Sequence, residues 1–528
     1  MPGARRVGVY GWGIVAPRSP DVEAFARNLE CSASWLAPFD GFGPANFLVG
    51  TPAFDFAAYR GWIEERFPPS RFAQLEDKMD PLTLYAIGAF IQALGQNPGL
   101  EEELTRLGQE AHVYIGTGIG NVHTLHDASL RLYRAQRRWD RFWADPERNP
   151  PLRDYLAALA AGGEPDPEVP PPPDAVAVGE RLEAEDAWWH HWAALSPDLA
   201  AYLEELRGIE GLTVEGQVES GKLRVMKRKQ RLHGQLQRKW GAPDPPWRQV
   251  SANVLWNIHN TPAAQISMLG RITGLAFAPV GACSTFGVTL KTAMDAIRRG
   301  EAKAVVIGAS EGPPHPLIVA AFHSARVISA DGTVSKPLTG LRGTHVAGGA
   351  AIWIVGDVEH MAARGFRPLG LEPLAVGVSS DADHIITPSR EGPLAAIEQA
   401  LGSAAVAPEE IVSWDLHATA TPGDYLEVDN LRTAVPGQVL VTARKGTFGH
   451  GMGACGGWEL TAQYLGYERG ALFPTPLARG ELNREIEGVH DLFVFDRACP
   501  APQGPVGKLS MGVGGVNACV VSRPWEAR

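Results

Sequence analysis

The sequence predicts an α/β protein made of two related halves, with a helical insertion in the first half. Short apolar runs rich in β-branched residues, such as 111–120 and 303–310, alternate with helical patterns such as 286–300. The same order of strand and helix resumes after residue 350. Continuous apolar strands with helices between them are typical of sheets that are covered on both faces. We therefore expect helices on both sides of each sheet.

The composition indicates a globular chain of enzyme size. It has 528 residues, 45% of them hydrophobic, which is enough for two or three domain-sized units. The net charge of −11 argues against general binding to nucleic acid or to a membrane surface. The five cysteines are odd in number and not clustered, so we expect no disulfide framework, no zinc site and a reducing compartment.

The N-terminus resembles a signal peptide only superficially. Basic residues precede an apolar run, but that run (8–17) is short, interrupted by glycine and β-branched, so it favours a first core strand. The chain contains no apolar run of about 18 residues, so we expect no membrane span. A cytoplasmic location is the resulting expectation.

The character of the sequence changes between about 128 and 250. The proline-rich connector 164–174 cannot form a helix or an inner strand, and helical patterns flank it. Seven of the fifteen tryptophans lie in this region. Trp139 and Trp143 are four residues apart, as a second pair is, which suits a helix face packed on a neighbour. We expect a helical insertion packed on the core, in preference to a dedicated binding module.

Residues 220–243 form a strongly basic stretch within this region. They contain eight Lys or Arg residues and no acid. A solvated helix face and a site for an acidic partner both fit this pattern, and the residues alone leave the choice open.

One cysteine stands at a predicted turn from strand to helix. Cys283 lies in the stretch PVGACSTFG, where Gly281 and Ala282 let the chain turn sharply. The N-terminus of the following helix offers partial positive charge and free N–H groups, which stabilise a thiolate. These residues favour a nucleophile only weakly, because small buried cysteines are common.

Three later stretches offer the partners that a nucleophile needs. His417 follows an apolar strand, and Lys445 and His450 lie in a glycine-rich loop before a helix. The glycine-rich turn within 509–521 can bring backbone N–H groups close to a substrate. Taken singly, each histidine could be a core residue and the turn could be only a turn.

In this order, the motifs resemble those of the β-ketoacyl-acyl carrier protein synthases, the elongating condensing enzymes of the thiolase fold. The matching stretches are GACST, HATATPGD, KGTFGHGMGACG and GVGGVN. The likeness covers roughly 1–127 and 250–525, and it implies a five-layer α-β-α-β-α core. The first half would span 1–335, with the insertion at about 128–250, and the second half 336–528.

The resemblance implies a reaction at Cys283, which would take an acyl group from a carrier thioester. A malonyl thioester would then lose carbon dioxide, and His417 and His450 would stabilise the enolate. The product would be a β-ketoacyl chain of a specialised fatty-acid or polyketide-type pathway, made without a metal or soluble cofactor. The other implied roles are the oxyanion hole of the Cys283 and Val513 N–H groups, a catalytic Lys445, supporting acids Glu459 and Asp424, pantetheine contacts Thr419 and Thr421, and an acyl gate of Val513 and Met511.

The chain departs from the family pattern at several positions. Ala418 and Ala420 stand where the family has glycines, which restricts the histidine loop. Val513 and Met511 replace aromatic residues, which leaves a smaller or looser gate. Gly348 stands where the family has a glutamate, which removes a charge behind the active site. These changes bear on the acyl substrate more than on the reaction class.

The resemblance also implies partners. One is an acidic acyl carrier protein, which a negatively charged synthase would bind through a basic patch. The other is a second synthase chain, identical or related, in a homodimer or heterodimer. The candidate docking residues are Arg71, Lys78, Lys227, Arg228 and Lys229.

Three other functions stay open behind condensation. A chain-length-factor-like subunit would keep the fold and lose the nucleophile, which the presence of Cys283 argues against. An acyltransferase would pass the chain from Cys283 to an alcohol or amine, whereas the intact histidine pair favours condensation. A non-catalytic scaffold would bind a partner through the tryptophan-rich insertion.

Overall fold

A computed structural model describes residues 5–43, 46–214 and 218–526. The strands are β1 (Val7–Val15), β2 (Ala37–Pro38), β3 (Leu48–Val49), β4 (Ala111–Gly116), β5 (Ala276–Phe277), β6 (Ala304–Glu311), β7 (Gly349–Asp357), β8 (Leu371–Ser380), β9 (Ser413–Asp415), β10 (Leu440–Thr442), β11 (Ala471–Leu472), β12 (Cys499–Pro500), β13 (Val506–Gly512) and β14 (Val516–Pro524). The α-helices are α1 (Val22–Leu29), α2 (Arg60–Arg66), α3 (Ser70–Lys78), α4 (Pro81–Leu94), α5 (Leu100–Leu107), α6 (Val122–Trp143), α7 (Pro150–Ala160), α8 (Arg181–Ala194), α9 (Pro197–Glu210), α10 (Val218–Trp240), α11 (Asn253–Trp256), α12 (Thr261–Leu269), α13 (Thr285–Arg299), α14 (Pro316–Ser324), α15 (Val358–Ala363), α16 (Glu391–Ala404), α17 (Gly423–Ala434), α18 (Lys445–Phe448), α19 (Met452–Glu468) and α20 (Arg484–Val489).

Two five-stranded sheets share one topology. The first has the order β5-β4-β6-β7-β1 and the second the order β10-β9-β13-β14-β8. In each sheet the first three strands run parallel, and the last three are antiparallel neighbours. Numbered along the chain within each half, both orders read 3-2-4-5-1. The second half therefore repeats the first, which confirms the two related halves predicted from the sequence.

The helices complete a five-layer core. α4 and α12 pack on one face of the first sheet, and α16 and α17 cover the outer face of the second. α13 and α19 lie between the two sheets. Every residue of β1, β6 and β7 is buried, as expected for strands covered on both faces. The five-layer α/β fold expected from the family resemblance is confirmed.

The chain passes from the first sheet to the second after the boundary at residue 335 that the sequence predicts between the two halves. β7 (Gly349–Asp357) lies beyond that residue and yet pairs with β1 and β6 of the first sheet. The segment between β6 and β7 contains α14 and loops, so a long stretch without a strand separates β7 from β6 in the sequence. The first sheet therefore ends at Asp357 and the second begins at Leu371.

Residue contacts divide the chain into two compact units, 1–123 with 255–528 and 124–254. The second unit is helical, and its core holds Trp139, Trp143, Trp188 and Trp192. The rings of each pair meet edge to face, with centroids 5.4 Å and 5.6 Å apart. The four-residue spacing of the tryptophans thus corresponds to buried helix faces, as predicted. None of the described helices is both long and apolar enough to cross a membrane.

A glycine in β8 lets a helix of the second half pack close to its sheet. A Cβ at Gly377 would lie 2.1 Å from the carbonyl oxygen of Ala396 in α16. We expect Gly377→Ala to lower the free energy of unfolding by about 1–3 kcal/mol, because the helix must move off the sheet. Gly402 in the same helix has no described atom within 4 Å of a built Cβ. Gly402→Ala should raise the free energy of unfolding by about 0.5–1 kcal/mol. Urea denaturation measures both changes, and equal effects would contradict the close approach.

Candidate active site

Cys283 lies where the first half meets the C-terminal hairpin of the second. A single 3-10 turn, Ala282–Ser284, precedes α13 and carries the cysteine. Ala282 has a φ of +47°, in the left-handed region that alanine rarely adopts, so the turn is strained beside the sulfur. The hydroxyl of Ser284 lies 3.0 Å from the carbonyl oxygen of Ser510 and 2.7 Å from that of Val516. This contact holds the cysteine turn against the glycine-rich turn between β13 and β14.

Two backbone N–H groups approach the sulfur of Cys283. Burial raises the pKa of the thiol to about 11, and the N–H groups of Val513 and Cys283 and the charge of Lys445 oppose that rise. The structure therefore brings together, at the sulfur, the two N–H groups that the family resemblance implies for an oxyanion hole. Donors placed in this way stabilise negative charge on an oxygen that forms beside the sulfur.

The two predicted histidines lie in the same cavity as Cys283. The ring centroids of His417 and His450 are 5.4 Å apart, at an interplanar angle of 82°. Burial, together with the nearby charge of Lys445, holds the pKa of both imidazoles well below its usual range, so both are neutral. The Lys445 ammonium lies 3.4 Å from Nδ1 of His417 and also donates to the carbonyl oxygen of that residue.

Two buried carboxylates shape the loop that carries His417. Glu427 accepts the N–H groups of His417 and Ala418, and burial raises the pKa of this carboxyl to about 7. Burial also raises the pKa of Asp424 to about 6. The N–H donors to Asp424 are those of Leu338, Thr419, Ala420 and Thr421. Sequence reasoning named Asp424 as a support but missed Glu427, which stands ten residues after the histidine on α17.

A buried cluster of charged side chains lies behind the histidines. The Lys445 ammonium pairs with Glu459 at 2.6 Å, and Glu459 pairs in turn with Lys508 at 2.8 Å. Asp415 pairs with Arg444 at 2.8 Å, and the exposed fraction of each of these five side chains is 1% or less. Sequence reasoning found only the Lys445–Glu459 pair. A lysine inside the otherwise uncharged strand 506–512 was the signal that could have pointed to Lys508.

The predicted pantetheine and gate residues line the cavity beside Cys283. The hydroxyl oxygens of Thr419 and Thr421 are 2.9 Å apart on one wall. Met511 is buried in the wall, whereas Val513 is 47% exposed. Asp381, His384, Ile386 and Phe322 also line the cavity, and sequence reasoning missed them.

The loop that carries Asp381 is bonded to the glycine-rich turn. The N–H of Gly514 donates to the carbonyl oxygen of Ile385 at 2.7 Å, and Asn517 Nδ2 donates to Asp381 Oδ1 at 2.7 Å. The two walls of the cavity mouth are therefore linked.

Gly348 marks a place where no side chain fits. A Cβ there would lie 2.1 Å from the carbonyl oxygen of Gly312, so close backbone packing excludes the glutamate that the family has. The neighbouring Glu311 is buried and accepts the N–H groups of Gly118, Ile119 and Gly453. Burial raises the pKa of Glu311 to about 7.

The candidate docking residues differ in whether their side chains contact other residues of the chain. The Arg71 guanidinium donates to the side-chain oxygen of Gln265 at 2.7 Å. The Lys78 ammonium lies 4.2 Å from the ring centre of Trp256. In the unit 124–254, Lys227 and Arg228 are exposed on α10. Lys229 in the same helix pairs with Glu210.

All five cysteines are free. In the ranges that the structure describes, no group of three or more His, Cys, Asp or Glu side chains has the arrangement of a metal site.

Family models match a part of each half of the chain. The model described as "Beta-ketoacyl synthase, N-terminal domain" matches residues 229–359, which include Cys283. The model described as "Beta-ketoacyl synthase, C-terminal domain" matches residues 373–478, which include His417 and His450. Over these two ranges the chain matches the β-ketoacyl synthase family. The resemblance found in the sequence motifs is thereby confirmed.

Curated proteins similar to this chain include the 3-oxoacyl-[acyl-carrier-protein] synthase homolog of Saccharomyces cerevisiae. It is 30% identical over 281 residues, which is 51% of this chain and 63% of that protein. The chain covers 54% and 43% of the next two curated relatives, so it spans roughly half the length of such proteins.

Solved structures show the same fold at lower identity. The ishigamide ketosynthase/chain length factor is 21% identical with a TM-score of 0.67, and the match covers 99% of this chain and 100% of that one. A type II PKS acyl-carrier protein in complex with its ketosynthase gives 17% identity and a TM-score of 0.64, with coverage of 99% and 100%. At these identities the likeness shows the thiolase-like fold alone.

The histidine loop contains a strained alanine that glycine would relieve. Ala420 has a φ of +59°, where a Cβ costs about 1–2 kcal/mol. We expect Ala420→Gly to raise the free energy of unfolding by about 0.5–1 kcal/mol, because the strain outweighs the added freedom of the unfolded chain. Ala418→Gly, in the same loop without a positive φ, should lower it by about 0.5–1 kcal/mol. Urea denaturation compares the two, and a loss of stability in both variants would contradict the strain.

Proposed function

We propose that this synthase catalyses a decarboxylative Claisen condensation between an acyl group held on Cys283 and a malonyl-carrier thioester. The observation that carries the proposal is the convergence, on one cavity, of a thiol, two backbone N–H donors and two neutral histidines. Each of these groups has a task in that reaction, and the family relationship makes the reaction class the first expectation.

The first half-reaction moves the acyl group to the enzyme. The Cys283 sulfur attacks the carbonyl carbon of the acyl-carrier thioester, and the bond to the carrier sulfur breaks. The thiol proton of Cys283 ends on the departing carrier thiol. The N–H groups of Cys283 and Val513 stabilise the oxyanion of the intermediate, and removal of one such donor typically costs about 2.7–4 kcal/mol.

The second half-reaction forms the carbon–carbon bond. The malonyl thioester loses carbon dioxide, and the electron pair of the broken bond becomes an enolate. The neutral imidazoles of His417 and His450 donate hydrogen bonds to the enolate oxygen. The carbanion attacks the acyl carbonyl, the Cys283 thiolate leaves, and a proton from solvent restores the thiol.

Lys445 fixes which nitrogen of His417 carries the proton. Its ammonium approaches Nδ1 at 3.4 Å, so Nδ1 is an acceptor and the proton stays on Nε2. That tautomer is the one that can donate to an enolate oxygen. We assign Glu459 and Asp424 supporting roles, since Glu459 holds Lys445 and Asp424 holds the histidine loop.

The substrate arm and the acyl chain have their own proposed contacts. Thr419 and Thr421 would bind the phosphopantetheine arm, since their hydroxyls lie together on the cavity wall. Val513 and Met511 would gate the acyl chain. The reaction that we propose uses no metal and no soluble cofactor, because the carrier supplies the phosphopantetheine. A specialised fatty-acid or polyketide-type pathway and a cytoplasmic location remain predictions from the sequence.

We also propose a dimer, with an identical or a related chain. β5 forms one edge of the first sheet. Leu275 and Val280 flank this strand and are 56% and 59% exposed. An exposed apolar sheet edge is normally covered, and a second synthase chain is the partner that the family relationship suggests.

The proposed function is tested with acyl-carrier and malonyl-carrier proteins and intact-protein mass spectrometry. We expect an acyl adduct on Cys283, release of carbon dioxide and a β-ketoacyl product two carbons longer. Cys283→Ser should abolish the thioester adduct, whereas Cys31→Ser, at an exposed cysteine, should not. His417→Ala should keep the adduct and slow carbon dioxide release roughly 10²–10⁴-fold. An adduct without carbon dioxide release would favour an acyltransferase, and no adduct on the parent protein would contradict both reactions.

A carrier protein is the proposed partner, and α10 offers a basic surface for it. We expect Lys227→Glu, Arg228→Glu and Lys229→Glu together to weaken carrier binding at least about fivefold at low salt, and less at high salt, because exposed charges are screened. The control reverses Arg153, Arg181 and Arg207, which are exposed in the same unit and give the same net charge. Binding constants from titration calorimetry compare the two. Equal weakening by both triple variants would assign the effect to net charge and remove α10 from the docking surface.

A further inference from the structure

A buried lysine lies behind the histidine pair without a role in the reaction described above. Lys508, in β13, has a side chain that is 1% exposed. Its ammonium lies 2.8 Å from Glu459 Oε2 and 3.9 Å from Asp415 Oδ1, and it donates to the carbonyl oxygen of Leu509. Taking an ammonium out of water is costly unless it is paired, so its neighbours account for its burial.

Glu459 connects this lysine to the active site. Its Oε1 atom lies 2.6 Å from the Lys445 ammonium, while Oε2 faces Lys508. Lys445 in turn contacts Nδ1 and the carbonyl oxygen of His417. A continuous chain of contacts therefore runs from Lys508 through one carboxylate and one ammonium to the imidazole.

Two ammonium groups of this cluster act on the histidines. Arg444, Lys445 and Lys508 are three cations, and they face the carboxylates of Asp415 and Glu459. The charges of Lys445 and Lys508 lie behind His417 and His450, where each opposes a proton on either ring. Without Lys508, only the Lys445 ammonium would remain of these two charges.

We propose that Lys508 is a positioning residue. It shares the Glu459 carboxylate with Lys445, and this arrangement holds Lys445 in contact with His417 and keeps both histidines uncharged. The inference deepens the proposed function, since it concerns the histidines that would stabilise the enolate. Lys508 itself does not line the cavity beside Cys283.

Other titratable groups face the same region from several elements. Burial raises the pKa of the Cys455 and Cys519 thiols, so both stay neutral. Glu427 titrates near neutral pH, which means that a bulk pH profile alone would mix its titration with that of the histidines. Around the histidine pair these groups are Cys283 at the turn before α13, Asp415 on β9, Glu427 on α17, Arg444 and Lys445 at α18, Cys455 and Glu459 on α19, and Cys519 on β14. Asp381 and His384 in the loop after β8 and Asp424 on α17 line the same cavity.

The test reads the histidines one by one. Imidazole ¹H–¹⁵N spectra of the full chain, assigned with His417→Gln and His450→Gln, give the protonation midpoint of each ring. We expect Lys508→Met to move at least one midpoint to higher pH by about one unit or more, since a neighbouring cation is lost. Lys291→Met, at a partly exposed lysine paired with Asp295, should leave both midpoints unchanged. Unchanged midpoints in a folded Lys508→Met protein would overturn the proposal.

A second variant separates positioning from folding. Lys508→Ala leaves space for a small ammonium ion, so methylammonium should fold the protein and return the midpoints towards those of the parent. Tetramethylammonium at equal ionic strength is too large and should not. The proposal is contradicted if methylammonium neither folds the Lys508→Ala protein nor returns its histidine protonation midpoints to the parental values.

These spectra need no substrate, so they distinguish this inference from the proposed function. Shifted midpoints in a chain that performs no condensation would support the positioning role and refute the reaction. In an active enzyme, a histidine with a raised pKa becomes protonated earlier as the pH falls, so the neutral ring is lost at a higher pH than in the parent. Carbon dioxide release by Lys508→Met should therefore decline at a higher pH than release by the parent.

Discussion

The candidate site depends on the ion pairs that the buried Glu459 carboxylate forms with two lysines. This carboxylate lies between two ammonium groups, and Lys445, on one side of it, contacts His417. An unpaired buried charge is costly, so the cluster fixes the positions of its members together. α19 carries Glu459 and lies between the sheets, where it also contacts the turn of Cys283. The charge cluster thus connects the candidate catalytic residues to the helix at the centre of the fold.

The repeat of one topology explains why the residues of the candidate site come from distant parts of the chain. In the first half, a turn before α13 presents Cys283. In the second half, the loop after β9 presents His417, and the loop after β10 leads to His450. The hydroxyl of Ser284 donates to carbonyl oxygens of the β13–β14 hairpin and so holds the Cys283 turn against the second sheet. Neither half contains all of the groups, so the site exists only where the two halves meet.

The local sequence predicts the fold and the residues that the structure brings together in one cavity, because strand periodicity, glycine-rich turns and motif order are local signals. Contacts between residues that are far apart in the sequence cannot be predicted from such local signals. Lys508 meets Asp415 only because β13 and β9 are neighbours in the second sheet. The end of the first sheet at Asp357 depends on the pairing of β7, and the backbone strain at Ala420 and the tight packing at Gly348 are visible only in three dimensions.

The central claim is that Cys283 carries an acyl group whose carbonyl oxygen lies in a hole made by two backbone N–H groups. A crystal structure of the chain acylated by a carrier thioester or a stable acylating analogue tests this directly. We expect electron density for a thioester on Cys283, with its carbonyl oxygen about 2.7–3.1 Å from the N–H nitrogens of Cys283 and Val513. A carbonyl oxygen directed away from both N–H groups, or an acyl group on another side chain, would contradict the account.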